Sequence, residues 1–149
     1  MSPAQPRHQV PDDRSWEYAD GFIAPSPALQ AAREAARADQ WKVLGNGTTA
    51  LLTFLARTMQ AGSAVTIGTD AGVSALALLE GMTDHGVLTG IDPDAERQAA
   101  ARKVLSLARI RSNQVRLITG TPLDVLPKLR DGAYDLSLIH ISEPTRLGM

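Results

Sequence analysis

The chain has 149 residues, of which 44% are hydrophobic and 21% are charged, and its formal net charge is −1 at pH 7. These values are typical of one globular domain with a buried core, and they exclude a wholly disordered chain. The absence of cysteine excludes disulfide bonds, thiolate zinc sites and a cysteine nucleophile, and the balanced charge argues against a dedicated nucleic-acid-binding protein.

Residues 1–25 are polar and contain several prolines, so we expect most of this N-terminal arm to be flexible. Its aromatic residues Trp16, Tyr18 and Phe22 could dock the arm onto another surface. The first residues lack the apolar stretch of a secretory signal, and no apolar run reaches the length of a membrane span. The expected compartment is therefore the cytoplasm.

Two helices are predicted next. Ser26 supplies a capping hydroxyl and Pro27 fits the first helical position, so an alanine-rich helix should run from there through Ala36. After a glycine pair, Thr48 or Thr49 can cap a second helix. Its apolar residues at helical spacing predict one buried face, formed by Leu51, Leu52, Leu55 and Met59.

From residue 64 onward, short apolar runs alternate with helical patterns. Strands are predicted near residues 64–68, 87–92, 114–119 and 134–140, with a helix in each interval. This alternation favours a doubly wound parallel sheet of the Rossmann-like α/β class, with strand order 3-2-1-4 and helices on both faces.

The strongest chemical signal is the turn after the first predicted strand, in residues 67–74. Gly68 permits a sharp bend, Gly72 allows a ligand or a strand to approach closely, and the following helix N-terminus attracts anionic or polar groups. A ligand-free turn is the alternative interpretation. Asp92 ends the second strand, where an acid can accept hydrogen bonds from both ribose hydroxyls, and Asp94 is better placed as the helix cap. Together these features favour a nucleoside-binding crevice.

The turn also restricts the kind of nucleoside. Asp70 puts a negative charge where the phosphates of a dinucleotide would lie, which disfavours a nicotinamide-dependent oxidoreductase. No Gly-Lys-Ser/Thr follows the turn, so a P-loop is excluded. A nucleoside without phosphates and with a cationic centre avoids this repulsion, and S-adenosylmethionine is such a ligand.

A family resemblance rests on five short blocks that occur in order, residues 67–74, 78–82, 86–92, 115–120 and 134–136. Through these blocks, residues 44–136 resemble class I S-adenosylmethionine-dependent O-methyltransferases. More narrowly, they resemble actinobacterial members of the catechol and caffeoyl-CoA O-methyltransferase group. The resemblance implies transfer of a methyl group from S-adenosylmethionine to a hydroxyl of a small-molecule acceptor.

The resemblance also implies a set of cofactor-binding residues. Gly68 and Thr69 would line the methionine end of the cofactor through their backbone. Ser74, at the start of the helix, would form a hydrogen bond near the cofactor's carboxylate. Asp92 would hold the ribose hydroxyls.

Four further positions bear on the same site. Pro122 matches a position beside the adenine ring, and Leu44 matches one just before the helix that roofs the cofactor. Thr66, also counted among the cofactor-binding residues, stands where relatives often have glutamate. Asp70 replaces a frequent glycine. Both changes depart from the family pattern, and the resemblance names no catalytic residue.

The resemblance ends near Leu136. Relatives continue into an acidic segment that supplies a divalent-metal ligand, whereas His140 stands in place of the first acid here, and a lone histidine makes no metal site. Residues 137–149 do not resemble the family and are expected to be a sequence artefact. The predicted organisation is an arm at 1–25, an incomplete cofactor-binding domain at 26–136, and this tail, and the chain as given is expected to be inactive.

The expected partner is a small-molecule acceptor, with no nucleic acid and no membrane, and a homodimer is kept as a candidate assembly. The alternative function is a non-catalytic module that binds a nucleoside or cofactor, or a regulatory fragment that acts through partners.

Overall fold

The computed structural model describes residues 11–140, and its centre is a four-stranded parallel sheet. The strands are β1 (Ser63–Ile67), β2 (Val87–Asp92), β3 (Val115–Thr119) and β4 (Leu136–Ile139). Their order in the sheet is β3-β2-β1-β4, and all three neighbouring pairs are parallel. The predicted fold class and strand order are confirmed, although β4 is shorter at both ends than the segment predicted for it.

The helices of the described residues, in chain order, are α1 (Asp13–Gly21), α2 (Pro27–Ala38), α3 (Asn46–Thr58), α4 (Val73–Gly81), α5 (Ala95–Leu107) and α6 (Pro122–Val125). None of these helices combines the length and the apolar character needed to cross a membrane. Short 3₁₀ turns precede α4 and β3 and follow α6.

Two helix starts lie where the sequence predicts them. Ser26 caps α2 by accepting a hydrogen bond from the backbone N–H of Leu29 at 3.1 Å, and Pro27 occupies the first turn. Asp94 caps α5, because its carboxylate accepts from the backbone N–H groups of Glu96 and Arg97. Both caps satisfy N–H groups that a helix leaves without an internal partner.

Residues 13–21 form α1, within the arm that the sequence predicts to be flexible. Asp12 caps this helix by accepting from the backbone N–H of Ser15 at 2.9 Å. The carboxylate of Asp20 then accepts from the backbone N–H of Gly47 at 2.7 Å, which ties α1 to the start of α3. The aromatic side chains of Trp16, Tyr18 and Phe22 are 62%, 72% and 70% exposed, so they do not pack into the core of the described residues, and docking onto another surface stays a prediction.

Helix α3 begins earlier than predicted. Its cap is Gly45, whereas the Thr49 side chain is buried and accepts a hydrogen bond from the Arg33 guanidinium at 2.8 Å. The buried stripe of α3 is therefore Thr49, Leu52 and Ala56. It packs on α4, whose last residue must be glycine, since a Cβ at Gly81 would lie 2.2 Å from the carbonyl oxygen of Thr53. The predicted apolar face is largely exposed, at Leu51, Leu55 and Met59.

The sheet carries a hydrophobic core on each face. On one face, Leu88 of β2 packs with Leu76 and Leu78 of α4, and α2, α3 and α5 complete this larger core. On the other, Val65 and Ile91 pack with Val125 of α6. In the register of the sheet, Ile67 is opposite both Ile91 and Ile139. The residues that follow β1, β2 and β4 therefore lie together at the carboxyl ends of the strands, which is called the edge below.

Candidate functional site

The turn between β1 and α4 is built from residues in the left-handed region of backbone conformation. Gly68 and Gly72 have φ values of +85° and +94°, and Asp70 and Ala71 have values of +50° and +49°. A Cβ at Gly72 would come within 3.0 Å of Val104 in α5, so this glycine is needed for helix packing. Non-glycine residues seldom adopt such values, and consecutive ones are typical of functional turns.

Asp92 fastens this turn to the end of β2. It is 1% exposed, and its Oδ2 accepts hydrogen bonds from the backbone N–H of Thr69 at 3.0 Å and from the Thr69 hydroxyl at 3.1 Å. Its Oδ1 accepts from the backbone N–H of Asp94 at 2.9 Å. The sequence leaves Asp92 free for a ligand, but the structure gives three of its roughly four acceptor positions to the protein.

Ser74 and His140 meet across the same edge. The Ser74 hydroxyl, in the first turn of α4, lies 3.0 Å from His140 Nε2, and one of the two groups donates to the other. The backbone N–H of His140 donates to the carbonyl of Ile67 at 2.9 Å, which places the imidazole over Gly68. Burial lowers the pKa of His140, against the opposing effect of Asp92. The imidazole is thus mostly neutral at pH 7.

The segment before α3 covers the turn from the other side. The backbone N–H of Leu44 donates to Asp70 Oδ2 at 3.2 Å, and Arg33 donates to the Leu44 carbonyl at 2.6 Å. Burial raises the pKa of Asp70 to about 6, although the Leu44 N–H and the Arg33 charge act against the increase. The sequence analysis missed Arg33. The available signal was its helical spacing, which places it on the buried face of α2 with Leu29 and Ala36.

Pro122 and Thr66 occupy different surroundings. The backbone N–H of Gly120 donates to the Asp92 carbonyl at 3.1 Å, and this brings partly buried Pro122 close to the end of β2. Thr66 is fully buried within β1, and its hydroxyl has no hydrogen-bond partner in the described part of the chain. The edge thus unites Leu44, Gly68, Thr69, Ser74 and Asp92, with Pro122 beside it and Thr66 inside the sheet.

Metal ligands are not grouped in this region. Among residues 11–140, no three His, Asp or Glu side chains lie together in a way that could hold a metal ion. The chemistry available at the edge is that of two carboxylates, the hydroxyls of Thr69 and Ser74, backbone N–H groups and a neutral imidazole.

Comparison with known proteins places the chain in a family. A family model described as a methyltransferase domain matches residues 65–144, more than half of the chain. A protein of Mycobacteroides abscessus named as a candidate O-methyltransferase is 42% identical over 127 residues, which cover 82% of this chain and 57% of that protein. This chain therefore spans little more than half the length of the curated relatives that it matches.

The fold of this chain is also similar to that of solved structures, one of which is an O-methyltransferase. A protein of Corynebacterium glutamicum is 31% identical, with a TM-score of 0.76 over 85% of this chain and 60% of that one. The O-methyltransferase TomG of Streptomyces achromogenes, solved in complex with SAM, is 27% identical, with a TM-score of 0.70 over 83% of this chain and 57% of that one.

These findings bear on two sequence predictions. The boundary after Leu136 stays a prediction, although residues 137–139 belong to β4 and the family match continues to residue 144. The resemblance to O-methyltransferases is confirmed, and the chain belongs to the methyltransferase domain family.

Proposed function

We propose that this chain contains the cofactor-binding region of an S-adenosylmethionine-dependent O-methyltransferase that acts on a hydroxyl of a small molecule. The observation that carries this proposal is the left-handed glycine turn from β1 into α4, fastened to the acid that ends β2. The complex of TomG with SAM and the O-methyltransferase relatives support it.

The residues at the edge fit this cofactor. Gly68 has no side chain, but the imidazole of His140 lies over it, so a ligand at this backbone requires His140 to move aside. Ser74 lies at the N-terminus of α4, where an anionic carboxylate is favoured. Asp92 retains one acceptor position on Oδ1 for a ribose hydroxyl. Because Ser74 contacts His140, binding at Ser74 exchanges one hydrogen bond for another.

Each residue then takes the role that the resemblance implies. The backbone of Gly68 and Thr69 lines the methionine end, Ser74 binds its carboxylate, and Asp92 holds the ribose. Pro122 packs beside the adenine ring, and Leu44, anchored by Arg33, belongs to the segment that roofs the site. A contact between Thr66 and the cofactor stays a prediction, since its hydroxyl lies within the sheet.

The chain's own contribution to methyl transfer is positioning. When bound, S-adenosylmethionine supplies an activated methyl group. The turn, Ser74 and Asp92 hold the nucleoside and the amino-acid end in fixed positions. The entropy cost of orienting the methyl donor is then met when the cofactor binds, and this lowers the activation barrier of the transfer. We propose that the acceptor is a small molecule, that the protein is cytoplasmic, and that a homodimer is its assembly.

Calorimetric titration of the chain with S-adenosylhomocysteine tests the proposal. We expect binding, and we expect Ser74→Ala to weaken it about tenfold because a hydrogen bond to a charged group is lost. Ser106→Ala, an exposed serine of α5, is the matched control and should bind like the wild type. NADH should produce no heat of binding.

Two results would contradict the assignment. One is a folded wild-type chain that does not bind S-adenosylhomocysteine. The other is preferential binding of NADH, which would return the site to the oxidoreductase class.

A further inference from the structure

An open pocket of about 360 Å³ lies beside the outer strand β3, on the face of the sheet that carries α5. Its floor is apolar, because Leu105 of α5 is buried, and Ile110, Val115 and Leu117 are partly buried and pack against the larger core. Val115 begins β3, whereas the edge lies at the opposite, carboxyl ends of the strands. The pocket is therefore separate from the proposed cofactor site.

Two arginines stand at the rim of this pocket. Arg102 belongs to α5, and Arg111 precedes β3. The Nε of Arg111 donates to Gln114 Oε1 at 3.2 Å, and its Nη2 donates to the carbonyl of Asp84. Both acceptors are neutral, so they hold the guanidinium in place without neutralising its charge. Three of its five N–H groups are left for other partners.

The charge of the rim is not balanced by acids nearby in the chain. Residues 98–123 contain five basic residues and no aspartate or glutamate, although the whole chain has a net charge of −1. Within the described residues, the single ion pair joins Arg97 to Asp94, so neither Arg102 nor Arg111 is paired with a carboxylate. A local excess of one sign of charge attracts ions of the opposite sign. This side of the protein therefore favours an anion.

The apolar floor restricts the kind of anion. A free inorganic ion gains nothing from Leu105 and Leu117, and an uncharged apolar molecule gains nothing from the arginines. Ser106 and Ser112 also line the pocket, and their hydroxyls add further donors. Several donors around one group suit the oxygens of a phosphate, which arginine binds in a fork geometry.

We propose that this pocket binds a small organic phosphate, whose phosphate group contacts Arg102 and Arg111 and whose apolar body covers the floor. The volume of about 360 Å³ lies within the range of roughly 300–1,000 Å³ that is common for ligand sites. The inference goes beyond the proposed function and does not depend on it.

The probe for this site is 1-naphthyl phosphate, which joins a phosphate to an apolar double ring. It is titrated into the whole chain at pH 7.5 and low salt and followed by calorimetry. We expect it to bind at least tenfold more tightly than inorganic phosphate or 1-naphthol, because each of these offers only one of the two groups.

Substitutions locate the binding. Arg102→Gln and Arg111→Gln should each weaken 1-naphthyl phosphate about tenfold, whereas Arg130→Gln, at an exposed arginine outside the pocket, is the matched control and should bind like the wild type. Arg111 also bonds to Asp84, so its variant is checked for folding by circular dichroism. Ser106→Trp leaves both charges in place, and its indole should fill the pocket and weaken binding at least tenfold.

Three results would overturn the inference. They are the absence of 1-naphthyl phosphate binding to the folded chain, an equal affinity for inorganic phosphate or 1-naphthol, and an unchanged affinity in Arg102→Gln and Ser106→Trp. Saturating S-adenosylhomocysteine should leave the affinity for the probe unchanged, and displacement of the probe would place it at the edge and overturn this inference alone. A chain that binds the probe as expected but not S-adenosylhomocysteine would support this inference and contradict only the proposed function.

Discussion

Replacing Asp92 by alanine should destabilise the protein before any ligand is considered. The change removes the acceptor for the backbone N–H groups of Thr69 and Asp94 and for the Thr69 hydroxyl. The hydroxyl can turn to another partner, but the two N–H groups remain in place. Each of these two donors left without a partner costs about 1–3 kcal/mol, so the free energy of unfolding should fall by about 2–6 kcal/mol.

A loss of that size is a large part of the ~5–15 kcal/mol by which a domain of ordinary stability is held folded. Urea unfolding followed by circular dichroism measures it. Asp92→Asn keeps one acceptor oxygen and should lose about half as much, while Asp131→Ala, at an exposed acid, should stay near the wild type. A free energy of unfolding for Asp92→Ala within about 0.5 kcal/mol of the wild type would refute the claim that Asp92 holds the turn.

Three further predictions concern stability. Gly81→Ala should lower the free energy of unfolding by about 3 kcal/mol or more, since the new Cβ would lie 2.2 Å from the Thr53 carbonyl oxygen, whereas Gly21→Ala, with nothing within 4 Å, should be neutral or slightly stabilising in the same urea titration. The pKa of Asp70 is about 6 in the fold against an ordinary 3.8, so the folded state holds this proton more tightly. Protonated Asp70 therefore stabilises the fold at low pH. As the pH rises from about 4 to 6 this stabilisation is lost, and the free energy of unfolding falls by at most about 3 kcal/mol. Asp70→Asn should abolish this loss in unfolding curves recorded across that range, and an unchanged pH dependence would contradict the assignment. Thr66→Val should raise the free energy of unfolding by about 1 kcal/mol because it removes a buried hydroxyl without a partner, and a weaker affinity for S-adenosylhomocysteine in this variant would show that the hydroxyl does reach the ligand.

The strands and their order are predictable because they depend on local patterns. The first three runs of apolar and β-branched residues end at Gly68, Asp92 and Gly120, and parallel strands joined by helices have few permitted topologies. The positions of Gly68 and Asp92 at neighbouring strand ends follow from that order alone. Asp94 as a cap is equally local, since the side chain bonds to N–H groups two and three residues later.

The remaining features depend on contacts between distant parts of the chain. Helix α1 is held by Asp20 against Gly47, and proline content reveals nothing of that contact. Thr49 is a good cap by its residue type, but the buried guanidinium of Arg33 requires an acceptor there. Likewise, Asp92 accepts a hydrogen bond from the backbone N–H of Thr69, and that N–H points at Asp92 only after the turn has folded.

The position of β4 has a consequence for the order in which the crevice is assembled. β1 and β2 are joined through α4, and β2 and β3 through α5, so these pairs can form as local units. β1 meets β4 only when residues 68–135 have found their places, and closing so long a segment carries a larger entropic cost. We therefore expect the contact of His140 with Gly68 and Ser74 to form after the glycine turn has bound Asp92.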